Sequence, residues 1–209
     1  MIVAIDGPAG AGKSTVARRL AERLGFRYLD TGAMYRAVTW LAVERSLDLE
    51  DGSALGELAD DNPVDLDEDG TVAIAGHDVT EAIRQAEIDR LVPTVARHPE
   101  VRAVMRRRQR ELADLGNAVI EGRDIGTVVA PHADVKVYLN ADPDVRARRR
   151  QLERPDIGGD ALATDLRLRD QSDAARMQPA DDAERIDTTE LDVEDVVDRI
   201  EQLVRARVA

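Results

Sequence analysis

No cysteine occurs in the chain, which excludes disulfides and thiolate-bound metal. Aromatic residues make up 2% of it, too few for the stacking platforms on which proteins lay single-stranded nucleic acid. Lysine is almost absent: Lys13 and Lys136 are the whole supply, and all the other permanent cations are arginine. Net positive charge is missing as well. A formal charge of −13 argues against the basic surface that general nucleic-acid binding requires. The arginine bias is compatible with genome base composition, and the acid excess also with a salt-adapted surface. No apolar run is long enough to cross a bilayer, and no basic segment followed by an apolar one opens the chain. The expectation is a soluble, cytoplasmic, monomeric protein without nucleic-acid or membrane partners.

What is present is an ordinary globular composition. With 43% hydrophobic residues in 209, the chain can hold one core and a smaller appended piece. Its organising stretch is Gly7, Pro8, Ala9, Gly10, Ala11, Gly12, Lys13 and Ser14, followed by Thr15. This spells G-x-x-x-x-G-K-[ST], the loop that cradles nucleotide phosphates. The flanks agree: Met1–Ile5 is a short apolar run, and Val16, Leu20 and Leu24 recur at helical spacing before Gly25. In this order of strand, glycine turn and helix, backbone N–H groups converge at a helix start, where anions bind. Lys13 is expected to reach the β- and γ-phosphates and Ser14 to hold Mg²⁺. The lack of a third glycine at the required offset after Gly10-x-Gly12 argues against a dinucleotide-binding turn.

Further along, Phe26–Asp30 reads as a strand, and Asp30 or Thr31 as the cap of a helix reaching about Arg45. Residues 48–69 are acidic and read as loop, with Asn62-Pro63 as a breaker. Val64–Leu66, Thr71–Ala75 and Asp78-Val79, separated by glycine turns, read as a small antiparallel sheet inserted into a β–α rhythm. Glu81–Leu91 reads as a short helix stopped by Pro93. Pro99 opens a longer helix rich in arginine. Ala118–Ile120 is a buried strand ending in Glu121-Gly122-Arg123-Asp124, an acid placed as in a Walker-B strand. Ligands of open α/β sheets bind beyond such strand ends. Val135–Leu139 and Ile186-Asp187 are further strands. Asp142-Pro143 opens a helix, residues 154–160 form a loop, and a helix runs from Leu162 to about Ala175. The terminal helix turns Val193, Val196, Val197, Ile200, Leu203 and Val204 inward. The alternation predicts a parallel sheet with helices on both faces.

A phosphate loop alone leaves switches, motors and kinases open. No N-K-x-D guanine motif occurs. Arginines on separate loops, among them Arg36, Arg123, Arg169 and Arg176, suit a second anion site, since the guanidinium fork matches phosphate. That favours a kinase over a nucleotide switch, while a hydroxyl-directed kinase using Asp30 or Asp124 as base remains an alternative. Five stretches then carry a resemblance: IDGPAGAGKST at the start, LDTGAMYRA at 29–37, PEVRAVMRRRQRELA at 99–113, IEGRDIGTVVAPHADVKVYL at 120–139 and RLRDQSDAAR at 167–176. Together the chain resembles the bacterial cytidylate kinases.

The resemblance implies phosphoryl transfer from ATP to CMP or dCMP, with Mg²⁺. It implies a P-loop α/β fold with a five-stranded parallel core at 1–36, 101–150 and 166–209. An acceptor-binding insertion would occupy 37–100 and a lid 151–165. By the same resemblance Gly7 to Thr15 bind ATP; Thr31, Arg36, Arg102, Arg123, Asp124, Asp173 and Arg176 bind CMP. Lys13, Arg123, Arg169 and Arg176 serve the transfer. Arg102 and Asp124 match the residues that read cytosine, and Glu121 would orient a Mg²⁺-bound water. The chain departs from the pattern at one point: where some members place a serine against the base, it has Pro93, which offers no hydroxyl, beside Thr94.

Overall fold

The computed structural model describes residues 1–67, 70–153, 158–174 and 177–208, with the backbone alone for Asp160, Ala161 and Arg169. It divides into two units, one of Met1–Tyr28 with Gly116–Ala209, the other of Leu29–Leu115.

In the first unit, β1 (Ile2–Asp6) is the middle strand of a five-stranded sheet. The order is β2 (Arg27–Asp30), β6 (Ala118–Gly122), β1, β7 (Val135–Asn140) and β8 (Glu184–Asp187). β1 is parallel to β6 and β7, and β7 to β8. Val3, Ala4 and Ile5 are all fully buried. A strand covered on both faces takes consecutive apolar residues rather than alternating ones, which is why the N-terminal run could be read as a strand. The register sets Asp6 opposite Gly122 on one side and Tyr138 on the other. The loops that leave β1 and β6 therefore start level with each other.

α1 (Lys13–Leu24) buries Val16 and Leu20 and ends at Gly25, whose φ of 66° lies in the left-handed region that favours glycine. α8 (Val193–Val208) packs on α1 through Val196, Val197, Ile200 and Val204. Across that contact Arg23 pairs with Glu194 and Asp198, and Arg19 Nε lies 2.8 Å from Glu194 Oε1. Val193, expected to face inward, is exposed, because it opens the helix three residues before its first buried position, Val196. α6 (Pro143–Glu153) packs against α7 (Gly159–Asp173), which starts at Gly159 rather than Leu162. Of the loop expected at 154–160, residues 154–157 lie outside the described part and Gly159 is already helical.

The second unit corrects two further readings. Asp30 is the cap of α2 (Thr31–Glu44), its Oδ1 accepting the Ala33 N–H at 2.8 Å. The stretch read as acidic loop contains α3 (Gly52–Asp61). Asp51 caps it through the Ala54 N–H at 3.1 Å, and Leu55, Leu58 and Ala59 bury one face. That i, i+3, i+4 period was masked by the acids around it; packing of the face against α5 (Pro99–Ala113) outweighs their solubility. The small sheet is as expected, with β4 (Val72–Ile74) between β3 (Asp65–Leu66) and β5 (His77–Asp78), all antiparallel. Pro93 does not stop the helix before it. It lies inside α4 (Ala86–Ala96), which follows a tight turn at Ala82–Arg84. The buried Ile88 and Val95 bracket it, and packing of α4 on α2 carries the helix through.

A proline inside a helix removes one backbone bond and costs about 3 kcal/mol, offset in part by its stiffening of the unfolded chain. Pro93→Ala is therefore expected to stabilise the protein by about 1 kcal/mol or more, read as a higher urea midpoint. An unchanged or lower midpoint would show that packing of the ring outweighs the lost bond.

Candidate active site

The loop between β1 and α1 is shaped by glycines at positions no other residue fits. Gly7 has φ 146°, and a Cβ there would lie 2.1 Å from the Leu139 carbonyl oxygen. Gly12, at φ 88°, caps α1 in the left-handed region. The loop's carbonyls are tied down by side chains. Arg123 Nη1 donates to Gly7 O at 3.0 Å, Lys13 Nζ to Pro8 O at 2.9 Å and Arg146 Nη1 to Ala9 O at 3.2 Å. The buried Thr188 hydroxyl donates to Ala11 O at 3.2 Å. Arg146 is itself nearly buried and pairs with Asp170 on α7 at 2.7 Å.

Beside the loop, the Ser14 hydroxyl donates to Glu121 Oε2 at 2.9 Å. Glu121 is buried, and its other oxygen accepts the Tyr28 hydroxyl; Arg18 lies over the Tyr28 ring, 4.9 Å from its centroid. A hydroxyl next to a carboxylate is an oxygen donor set that suits Mg²⁺. Among the described residues no cluster of three or more His, Cys, Asp or Glu could hold a metal unaided. Phosphate oxygens and water would have to complete the coordination.

Arg123 and Asp124 follow β6 directly. Arg123 Nε is 3.4 Å from Asp173 Oδ2 at the end of α7, and its Nη1 also touches Met177 Sδ at 3.4 Å. Asp124 is buried, and its carbonyl receives the N–H groups of Val128 and Val129 at 2.8 and 3.2 Å. With the Ala130 N–H on Ile125 O at 2.7 Å, these bonds make Ile125–Val129 a single wide helical turn, a form common at functional sites. The turn is anchored on Asp6. Asp6 Oδ1 accepts the Ile125 N–H and Oδ2 the Gly126 N–H, each at 2.8 Å. Burial pushes the Asp6 carboxyl up to about 6, with the Asp124 charge adding to the rise and the two amides and Lys13 opposing it.

Within this unit the structure thus gathers Lys13, Ser14, Glu121, Arg123, Asp124 and Asp173. Arg176 lies outside the described residues, and Arg169 is placed on α7 by its backbone alone. In the other unit Thr31 is buried at the start of α2. Arg36 follows on the same helix, its Nε and Nη1 each 3.9 Å from the carboxylates of Asp89 and Asp30. Arg102 stands in the first turn of α5, partly buried. The sequence reading overlooked Asp6, Tyr28 and Arg146. Asp6 did leave a signal, since an acid ends the apolar run of β1 as Glu121 ends that of β6. Tyr28 and Arg146 left none, because their partners are remote in the chain.

A comparison with protein families matches the description "Cytidylate kinase" over residues 3–206. The chain belongs to the cytidylate kinase family. It is 48% identical to the cytidylate kinase of Shouchella clausii, covering 97% of this chain and 95% of that one, and 45% identical to that of a Geobacillus species over 99% and 97%. It is also 48% identical to a bifunctional pantoate ligase/cytidylate kinase of a Synechococcus species, spanning 45% of that longer protein. Among solved structures, a gluconokinase from Sinorhizobium meliloti aligns with TM-score 0.54 at 14% identity, covering 98% of this chain and 92% of that one. Shikimate kinase from Bacteroides thetaiotaomicron aligns at 0.50 and 16%, covering 98% of each. At such identities the likeness is one of fold. It bears out the P-loop α/β architecture of this cytidylate kinase family member.

The raised Asp6 carboxyl makes a signed prediction. A group whose folded value lies above its unfolded value contributes stability below the unfolded value and loses it as pH rises through the folded one. From pH 4 to pH 7 the wild type should therefore lose about 2 kcal/mol relative to Asp6→Asn, all other titrations cancelling. Urea unfolding of both proteins at the two pH values checks it, and a constant difference would refute it.

Proposed function

We propose that the protein transfers the γ-phosphoryl group of ATP to CMP or dCMP in a direct, in-line step, giving CDP or dCDP and ADP. Membership of the cytidylate kinase family supports the reaction. The observation that best supports the residue assignment is the hydrogen bond from Arg123 to Gly7 O, which ties an acceptor-site arginine to the ATP cradle. In this reading Gly7 to Thr15 hold the triphosphate, and Lys13 turns from Pro8 O to the β- and γ-oxygens. Arg36, Arg123 and Arg176 grip the CMP phosphate, Arg169 meets the transferring group, and Thr31 and Asp173 orient the acceptor. Every residue invoked lies on one chain, so a monomer suffices.

Ser14 and Glu121 would hold Mg²⁺, Glu121 through a water. Held there, the ion would supply positive charge against the phosphate charge that develops during transfer. No general base is needed, because the attacking CMP phosphate oxygen is already ionised at neutral pH. The work of the protein is positioning and charge compensation. Closure of the lid proposed at 151–165 would exclude water, which otherwise competes as acceptor.

Base selection follows from hydrogen-bond chemistry. Cytosine presents an amino donor at N4 with acceptors at N3 and O2. The buried Asp124 carboxylate accepts from the first, and Arg102 donates to the others. Uracil replaces the amine with a carbonyl, which would face the carboxylate. A mispaired buried polar group costs about 1–3 kcal/mol. CMP should therefore outcompete UMP by about tenfold or more in kcat/KM.

A coupled ADP-release assay with CMP, dCMP, UMP and AMP tests the reading. The expected result is fastest turnover with CMP or dCMP; equal or faster turnover with AMP or UMP would refute it. Asp124→Ala is expected to bring the CMP/UMP ratio of kcat/KM down about tenfold, toward one. A ratio left at its wild-type value would remove Asp124 from base reading.

A further inference from the structure

Asp6 has no part in the chemistry just described, yet it is a nearly fully buried carboxylate, 5% exposed, at the carboxyl end of the central strand. Buried carboxylates are costly unless fully hydrogen-bonded. Here both oxygens are used, on consecutive backbone amides: Oδ1 on Ile125 N–H and Oδ2 on Gly126 N–H, each at 2.8 Å. The next residue, Gly7, accepts from Arg123 Nη1 at 3.0 Å. Asp6 and Gly7 thus hold residues 123, 125 and 126, and Asp124 lies inside the bracketed stretch.

The bracket has little slack. A Cβ on Gly126 would come within 3.4 Å of Asp6 Oδ2 and 3.3 Å of Lys136 Cδ. The register that sets Asp6 opposite Gly122 aligns the donor and acceptor groups before any side chain moves. The amide arrangement also explains why the residue is an acid. Asparagine offers one acceptor oxygen, and its NH₂ would confront the second N–H.

We propose that Asp6 is a positioning residue for acceptor selectivity: its carboxylate fixes the backbone on which Asp124 stands, while Arg123 is held independently by its bond to Gly7 O. Loss of one of its two bonds lets the 124–126 stretch shift. That shift moves the Asp124 carboxylate relative to the base and leaves the ATP cradle, shaped by its own glycines and carbonyl ties, in place. The proposal rests on the acceptor reading above.

The test measures kcat and KM for CMP, UMP and ATP in the wild type, Asp6→Asn and Gly126→Ala. The second variant pushes a methyl group against the same carboxylate, and it keeps the test alive if the first does not fold by near-ultraviolet circular dichroism. Either folded variant is expected to raise KM for CMP and to narrow the CMP/UMP ratio, each by about tenfold, with KM for ATP within about twofold of wild type. A purely structural role would lower kcat for both acceptors together and leave the ratio unmoved, and that result overturns the proposal. A parallel rise in KM for ATP overturns it too. A wild type indifferent to the base would instead refute the acceptor reading, so the two failures are told apart.

Discussion

A phosphate-binding loop must keep its N–H groups turned inward, which turns its carbonyls outward. Each outward carbonyl then needs a partner of its own, since buried backbone polar groups are rarely left unpaired. In this protein four side chains provide them: Arg123 on Gly7 O, Lys13 on Pro8 O, Arg146 on Ala9 O and Thr188 on Ala11 O. The glycines permit the curve and the four ties hold it. Three of the four come from more than 100 positions away in sequence, Arg123 at a separation of 116, Arg146 at 137 and Thr188 at 177. The cradle is thus a property of the folded sheet, although its motif is local.

This separation decides what could be read from the chain. The phosphate loop, the central strand and the helix after it were legible because each is written in neighbouring residues: a glycine pattern, an apolar run, a helical period. Arg123 and Asp124 were legible as a short motif at a strand end. Arg146 was not, because nothing within α6 distinguishes it from Arg148 or Arg150; only the fold brings it to Ala9 and Asp170. α3 was hidden for a different reason. Its acids suggested loop, and the partner face on α5 that favours helix is not visible locally. Pro93 was given too much weight on the same grounds, since tertiary packing overrides a local breaker.

Arg123 shows how one side chain can join two parts of a site. Its Nη1 reaches Gly7 O and its Nε lies by Asp173, so a single guanidinium joins the loop after β1 to the end of α7. An ammonium is a point charge on a flexible stem and does not span two such directions in a fixed geometry. In a transfer between two polyanions this rigidity has value. The guanidinium keeps its charge at every working pH, and its orientation is set before substrate arrives.

The two lysines gain meaning against that background. In a chain that otherwise uses arginine throughout, each lysine carries a compact ammonium on a slender stem. Lys13 folds back over its own loop to Pro8 O at 2.9 Å. Lys136 passes its methylenes alongside Gly126 and places its ammonium 3.0 and 2.9 Å from the two Asp182 oxygens. Its stem and the Asp6 carboxylate thus both crowd the position a Gly126 side chain would take. Lys13 stands at the end of the loop that follows Asp6, and Lys136 on the strand that passes Gly126.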